Sequence, residues 1–309
     1  MRCFSGFKAA VVGGALLLVS AATLNAQPVA PVPPVPANGL SLVPRFFNDF
    51  PNSTQTYSIN GGATITNPPA GVVIPINGAT NAVTVHDTNM VNTPASGFTN
   101  RNDMYLSTNH GTSAVNGDLN MPFFITATLT LTDGTDSQRK EAGVRVVAPV
   151  TGDAVFEVNT SGEIVAFGGG APFFNFRPVI EAAYIPGQTI MLAEQYMPGP
   201  GGTSNGNPGS MQYWAQLLAG PGVPAGGGPL LTSGPLAWSN NEGGPGPNSF
   251  NVGAFTQEPD GSTASASDFS NVVFTGISGA VPEPASISLL VLGGLVLTAR
   301  RGRRRPLAA

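Results

Sequence analysis

The chain has 309 residues, of which 41% are hydrophobic and only 10% are charged, and it contains 40 glycines and 29 prolines. Soluble proteins carry about 25% charged residues, so this composition excludes coiled coils, Lys/Glu-rich helical proteins and basic nucleic-acid-binding modules. Cys3 is the only cysteine, which excludes an intramolecular disulfide and a CxxC metal site. The length allows one large or two small domains, and a β-sandwich of about 200–250 residues fits as one unit.

The basic residues are concentrated at the two ends of the chain. Seven of the 13 lie within residues 1–8 or 300–305, whereas residues 27–281 carry six basic against 16 acidic residues, a net charge of −10. An acidic body repels the phosphates of nucleic acids and anionic lipid headgroups. We therefore expect no nucleic-acid partner for the body.

The first 26 residues have the pattern of a secretory signal peptide. Arg2 and Lys8 supply a positive segment, residues 9–22 are uncharged, and Ala26 is a small residue before Gln27. This arrangement predicts export and cleavage by signal peptidase between Ala26 and Gln27. An uncleaved N-terminal anchor is the alternative.

A proline-rich linker is predicted at residues 27–40, before a body at residues 41–280. Five prolines fall within residues 27–37, and proline fixes φ and removes backbone donors. Such a composition favours an extended polyproline II spacer.

Residues 281–309 combine three features in a fixed order. The tripeptide Pro282, Glu283 and Pro284 comes first, and an apolar segment at about residues 285–299 follows. Its 13 residues at 287–299 make a helix about 20 Å long, shorter than the roughly 30 Å of a bilayer's hydrocarbon core. The segment ends at a basic cluster that stays on the cytoplasmic side: Arg300, Arg301, Arg303, Arg304 and Arg305.

This order of features resembles the PEP-CTERM protein-sorting signal, which is read by an exosortase, a membrane-embedded cysteine peptidase or transpeptidase of Gram-negative bacteria. The resemblance implies that Pro282, Glu283 and Pro284 form the recognition motif and that the arginines of residues 300–305 form the retention signal. A plain single-span anchor is the alternative, with the same topology and no processing. Such tails are attached to unrelated proteins, so the resemblance implies nothing about the body.

The body is predicted to be all-β, a jelly roll or β-sandwich. Apolar residues alternate with four threonines at residues 125–132, which is typical of a half-buried strand. Residues 154–158 and 163–167 flank turn residues 159–162 and predict a hairpin. Further strands are predicted at residues 64–66, 82–86, 105–107, 144–148, 189–195, 211–218, 250–255 and 271–277. A short helix is the alternative at residues 211–218, and glycine-proline runs predict surface loops at residues 197–209, 220–229 and 243–247.

The order of several strands brings a second resemblance, to concanavalin-like lectin/glucanase sandwiches. The matching segments are residues 142–146, 156–162, 184–192 and 268–274. The resemblance spans about residues 48–279 and implies either a lectin-like role or glycan cleavage by two carboxylates that flank the sugar bond.

Glu157 and Glu163 are the nearest candidates for such a carboxylate pair. A four-residue loop at residues 159–162 pairs Val158 with Glu163 and Glu157 with Ile164, which places the two acids on opposite faces of the hairpin. We therefore predict solvated acids at strand ends and no catalytic residue.

No metal site or cofactor is predicted from the histidines, because His86 and His110 lack metal-ligand spacing. Asp103, Asp133 and Asp136 are candidates for a calcium loop, with ordinary turn acids as the favoured interpretation.

The aromatic residues Tyr213, Trp214 and Trp238 lie near the glycine-proline runs. They stack on sugar rings if exposed and fill the core if buried, and the core is the favoured interpretation.

These observations predict an exported envelope or cell-surface protein with a non-catalytic, structural or adhesive role and an extracellular polysaccharide as a possible partner. The alternatives are a secreted glycan hydrolase or lyase and a membrane-tethered protein of another function.

Overall fold

A computed structural model describes the chain over ten segments: residues 35–48, 53–77, 81–88, 99–133, 139–149, 152–177, 184–200, 209–238, 248–259 and 269–281. All of them belong to one compact unit, Pro33–Ala309. The predicted signal peptide and the segment from residue 282 onwards lie outside the described residues.

The described residues form eighteen strands, in chain order: β1 (Val35–Pro36), β2 (Gly39–Asn48), β3 (Thr54–Ile59), β4 (Thr64–Thr66), β5 (Ile74–Asn77), β6 (Val83–Thr88), β7 (Thr99–Ser107), β8 (Gly117–Asp118), β9 (Phe123–Asp133), β10 (Glu141–Ala148), β11 (Gly152–Asn159), β12 (Ile164–Phe167), β13 (Phe174–Asn175), β14 (Thr189–Met197), β15 (Ser210–Ala219), β16 (Leu231–Ala237), β17 (Ser249–Pro259) and β18 (Phe269–Val281).

The strands form two antiparallel sheets of nine strands each, so the body is the all-β sandwich that the sequence predicts. The first sheet has the order β16-β15-β14-β9-β18-β6-β3-β4, with β1 paired to β18. The second sheet has the order β13-β12-β11-β10-β17-β7-β2-β5, with β8 paired to β17. Because β9 pairs with β14 and β18 while β10 pairs with β11 and β17, these consecutive strands belong to different sheets.

The hydrophobic core lies between the sheets and follows the period-two pattern of the strands. In β9, Ile125, Ala127, Leu129 and Leu131 are buried, and the alternating threonines are partly exposed. Every second residue of a strand points to the same face, so the alternation places the apolar set inside. The core is closed by aromatic side chains, including Phe123, which stacks on Tyr196.

Several boundaries differ from the sequence prediction. β15 is a strand throughout, because Met211, Tyr213 and Ala215 are buried at a period of two. β1 and the start of β2 lie within the predicted linker, where Val35 pairs with Val281. Six further strands have no counterpart in the prediction, because they are short or their apolar residues are interrupted by polar residues, glycine or proline: β2, β3, β5, β8, β13 and β16.

A buried polar network joins β2, β3, β6 and β7 at one end of the sandwich. Arg45, at φ 48° in a bulge of β2, donates through Nε to Gln55 Oε1 at 3.1 Å. Gln55 and Asn100 each donate to Asp87 Oδ2, at 2.6 and 2.9 Å. Since buried polar groups are costly unless hydrogen-bonded, this network fixes how the strands meet.

One carboxyl group lies in the core without such support. Glu194 of β14 is completely buried between Leu192 and Tyr196, and neither of its oxygens has a hydrogen-bond partner among the described residues. Burial raises the pKa of Glu194 to about 8. Tyr213, its neighbour across the sheet, has a pKa raised well above its usual value by burial and by Glu194.

We expect Glu194→Gln to flatten the dependence of stability on pH. A carboxyl whose pKa is higher in the folded than in the unfolded protein holds its proton more tightly when folded, so stability falls as pH rises from about 4.5 through about 8. The full penalty above pH 8 is on the order of 5 kcal/mol. Urea unfolding of the full-length chain between pH 5 and pH 9 measures the effect. Glu194→Met also removes the titrating group, so it should flatten the dependence of the free energy of unfolding on pH equally. If the free energy of unfolding of the wild type and both variants fell in parallel as pH rises, Glu194 would not be the group responsible.

Candidate functional site

The outer face of the second sheet carries an ion-pair network across five adjacent strands, β7, β17, β10, β11 and β12. We call this surface the charged face and define it by these residues: Arg101, Asp103, Tyr105, Arg139, Glu141, Arg145, Asp153, Glu157, Glu163 and Gln257. Each strand residue among them alternates with inward residues of the same strand, as Glu141 and Arg145 do with Ala142, Val144 and Val146.

Arg145 is the centre of the first half of the network. Its guanidinium donates to Asp103 Oδ2 at 2.6 Å and to Asp153, and it lies 3.2 Å from the Tyr105 hydroxyl. Arg145 and Asp103 are both buried, whereas 47% of the Asp153 side chain is exposed. Burial and the nearby Asp103 carboxylate raise the pKa of Tyr105, so this hydroxyl stays protonated at neutral pH.

Arg139 is the centre of the second half. Its guanidinium lies 2.5 Å from Glu141 Oε1, 3.0 Å from Glu157 Oε1 and 3.8 Å from Glu163 Oε2. Burial, and then the charge of Glu141, raise the pKa of Glu157 well above its usual value, although Arg139 opposes the shift. The Arg139 guanidinium is thus shared by three carboxyl groups, of which Glu157 is the one with the raised pKa.

Gln257 of β17 connects the two halves. Arg101 Nε donates to Gln257 Oε1 at 2.8 Å, and Gln257 Nε2 donates to Glu141. Arg101 also lies over the Phe255 ring, 5.7 Å from its centroid. Burial and the charge of Arg145 lower the pKa of Arg101. The network is thus continuous from β7 to β12.

The position of Glu157 and Glu163 corrects the sequence prediction. Glu157 pairs with Val165 and Val158 with Ile164, and Asn159 N donates to Glu163 O at 3.2 Å. The register differs by one residue from the predicted one, so both acids lie on the same face. The expectation of two solvated acids is also wrong for Glu157, which is fully buried.

Part of the charged face is open to a ligand. The exposed groups are Asp153, the guanidinium side of Arg139, which is 39% exposed, and Glu163. The Phe46 ring is 47% exposed and lies 5.6 Å from the guanidinium carbon of Arg145. The exposed ring therefore lies beside a buried guanidinium that also binds the exposed Asp153 carboxylate.

Other residues singled out in the sequence lie elsewhere. His86 is on the outer face of the first sheet, and His110 has φ 60° in a turn where its Nδ1 is 3.2 Å from Asn77 Oδ1. Asp103 belongs to the charged face rather than to a calcium loop, and Asp136 lies outside the described residues. Over the described segments, no three His, Cys, Asp or Glu residues are grouped to hold a metal ion.

The three aromatic residues have different environments. Tyr213 and Trp238 are buried, and Trp238 Nε1 donates to Gly169 O at 3.0 Å, so the core interpretation is correct for Trp238. It is wrong for Trp214, which is partly exposed on the outer face of the first sheet because it alternates along its strand with the buried Tyr213 and Ala215.

The predicted processing residues are not described by the structure. Ala26 and Gln27, the tripeptide Pro282–Pro284 and the arginines of residues 300–305 all lie outside the described residues. Within the part of the chain that is described, no helix has the length and apolar character needed to cross a bilayer.

Sequence reasoning missed most of the charged face. An isolated arginine in a polar sequence is usually a solvated residue, so none of these residues is recognisable on its own as part of a site: Arg101, Tyr105, Arg139 and Arg145. A usable signal is the alternation Arg-x-Asp-x-Tyr at residues 101–105, which places three polar groups on one side of a strand.

No protein-family model matches this chain, and no curated protein matches it either. Among solved structures, an alginate lyase from Corynebacterium sp. is 10% identical over 77% of this chain and 98% of its own, with a TM-score of 0.45. An alginate lyase of polysaccharide lyase family 7 is 11% identical over 74% and 93%, with a TM-score of 0.42. Lectin II from Ulex europaeus is 9% identical over 68% and 95%, with a TM-score of 0.38. These low values assign neither a ligand nor an activity to this chain.

We expect Arg145→Met to destabilise the protein by about 3 kcal/mol, because it leaves the Asp103 charge buried without its partner. Adding Asp103→Asn should recover part of the loss, since the stranded charge is then removed. Arg177→Met, at an exposed arginine, is the control and should change stability by less than about 0.5 kcal/mol. Urea unfolding measures all three, and an equal effect at Arg145 and Arg177 would contradict a structural ion pair.

Proposed function

We propose that this protein is exported, sorted to the cell surface by an exosortase through its C-terminal signal, and binds an extracellular polysaccharide in a structural or adhesive role. The sorting part rests on the sequence of residues 282–305. In the structure β18 ends at Val281, so the motif follows the last strand of the sandwich directly in sequence.

The binding part is carried by one observation, the exposed Phe46 ring beside the Arg145 guanidinium, which also binds the exposed Asp153 carboxylate. Carboxylate and guanidinium groups form paired hydrogen bonds with adjacent donors and acceptors, and sugar hydroxyls supply both. An aromatic ring offers apolar area against the C–H face of a sugar. Since neighbouring ion pairs hold these groups in place, little conformational entropy is lost on binding.

A non-catalytic role is supported by the state of the carboxyl groups. Glu157 is fully buried and is engaged by Arg139, which also binds Glu141. A general acid or nucleophile must contact its substrate, and the exposed part of this cluster is Arg139 and Glu163 rather than Glu157.

Glycan cleavage is the second candidate, and a specific observation favours it. Glu141 and Glu157 share one guanidinium, and the charge of Glu141 helps to raise the pKa of Glu157. A carboxyl group of raised pKa beside a second carboxyl group is the combination that glycosidases use. Release of reducing ends from the producing organism's polysaccharide, abolished by Glu157→Gln, would establish this candidate in place of the first.

We expect Phe46→Ala to weaken binding of the full-length chain to extracellular polysaccharide isolated from the producing organism about tenfold, because the ring is lost while the ion pairs remain. Affinity gel electrophoresis measures the change. Phe173→Ala removes a ring that is 70% exposed outside the charged face and is the matched control. Absence of retardation by the wild-type protein, or equal retardation of both variants, would refute binding at the charged face.

We expect the mature protein to lack its arginine-rich C-terminus when it is produced in cells with an exosortase. Intact-mass measurement should place the C-terminus near Pro282–Pro284, because the enzyme reads that motif. Replacing Pro282, Glu283 and Pro284 together by alanine should retain residues 300–305, whereas Ser286→Ala should be processed normally. A wild-type product that keeps the complete tail would rule out exosortase sorting.

A further inference from the structure

The outer face of the first sheet differs in chemistry from the charged face. The nine strands of the first sheet contain no lysine or arginine and only three acidic residues. Asp87 and Glu194 are buried on the inward side, and Asp133 is the last residue of β9. The described outward residues of this sheet therefore include no Asp, Glu, Lys or Arg, although the body carries a net charge of −10.

Hydroxyl side chains recur across this surface. Partly exposed threonines lie on its central strands, among them Thr56, Thr84, Thr126, Thr128, Thr130 and Thr132. The hydroxyls of Thr130 and Thr189, on adjacent strands, are 2.8 Å apart. We call this surface the neutral face: these threonines together with Phe124, Gln195, Gln212 and Trp214. It offers uncharged hydroxyl and amide groups, which both donate and accept hydrogen bonds.

An aromatic pair lies at one end of the neutral face. Trp214 of β15 is partly exposed, and Phe124 of β9 is 39% exposed, with the ring centroids 6.4 Å apart in an edge-to-face arrangement. Ala193 separates them on β14 opposite Trp214, and Gln195 lies opposite both Phe124 and Gln212. Two amide side chains therefore flank the two rings.

An open pocket lies next to this end of the neutral face. It has a volume of about 350 Å³ at the ends of β14, β15 and β16, where Met197, Ser210 and Pro235 contribute to its lining. None of the described residues that line it is charged. Its lining consists mainly of proline, glycine and apolar residues, with Ser210 as a polar side chain.

We propose that the neutral face is a second binding surface, specific for an uncharged polysaccharide, with a sugar ring against Trp214 and amide contacts from Gln195 and Gln212. An uncharged, hydroxylated polymer matches a face of hydroxyls and amides without charge, and it is not repelled by the acidic body. The proposal is independent of the charged face, because the two surfaces lie on opposite sides of the sandwich.

A second copy of the chain fits this surface less well. Two bodies of net charge −10 repel each other. The centre of a protein interface is also usually more apolar than the threonine-rich neutral face. The apolar outward residues of the first sheet are scattered, since Phe124 and Trp214 lie at one end while Phe269 packs beside His86 on β18 and β6. A protein with two chemically different binding faces would cross-link polysaccharide chains, which suits an adhesive role.

Hydroxyethylcellulose, an uncharged soluble glucan, is the probe for the test. In affinity gel electrophoresis the full-length chain should be retarded, and retardation should persist at about 1 M NaCl, where charge interactions are screened within about 3 Å. Trp214→Ala should weaken binding about tenfold, and Trp214→Phe should retain part of it, since a ring remains. Phe173→Ala removes an exposed ring that belongs to neither face, so this variant is the control and should bind as the wild type does.

Two results would overturn the proposal. One is equal retardation of the wild type and Trp214→Ala, or no retardation at all by this glucan. The other is a dimer of the wild type in sedimentation equilibrium that Trp214→Ala dissociates, which would assign the face to a second copy. A loss of polysaccharide binding in Phe46→Ala concerns only the charged face, so the two functions can fail separately.

Discussion

Burial of alternate residues between two antiparallel sheets is the interaction on which the rest of this structure depends. The inward residues, such as Leu129 of β9 and Val144 of β10, form the core and fix the direction of every other side chain on their strands. Because the side-chain period is two, each remaining residue must lie on one of two outer faces. The strand order therefore decides which polar groups become neighbours, and it produces one charged and one neutral surface.

The charged face shows how a protein with few charges concentrates them. Arg139 and Arg145 each bind several carboxyl groups, and Gln257 joins the two groups of ion pairs. Buried charges are stable only when paired and hydrogen-bonded, so these contacts compensate a desolvation cost more than they add to stability. Their main effect is to hold the exposed parts of Asp153, Arg139 and Glu163 in fixed positions, which is what a binding surface requires.

The neutral face is held together by hydrogen bonds between uncharged groups rather than by ion pairs. It has no ion pairs, and its hydroxyls and amides bond to backbone carbonyls and to one another, as Thr132 does with Asn271 and Gln212 with Thr232. Such a surface has little long-range field, so recognition there depends on contact and ring stacking rather than on electrostatic steering. Two faces that respond differently to salt give the sandwich two separable modes of attachment.

The sequence by itself determined the all-β class, the strongly alternating strands such as β9, and the order of features at the two ends of the chain. The tertiary structure alone decided which face each acid occupies. At the β11–β12 hairpin a one-residue difference in register brings Glu157 and Glu163 to the same side, and Glu194 sits inside the core although its neighbours Ala193 and Gln195 face outward. Spacing along the chain cannot settle register or sheet membership, because both depend on pairing between strands that are distant in sequence, such as β10 with β17 and β9 with β18. The charged and neutral faces are products of that long-range pairing.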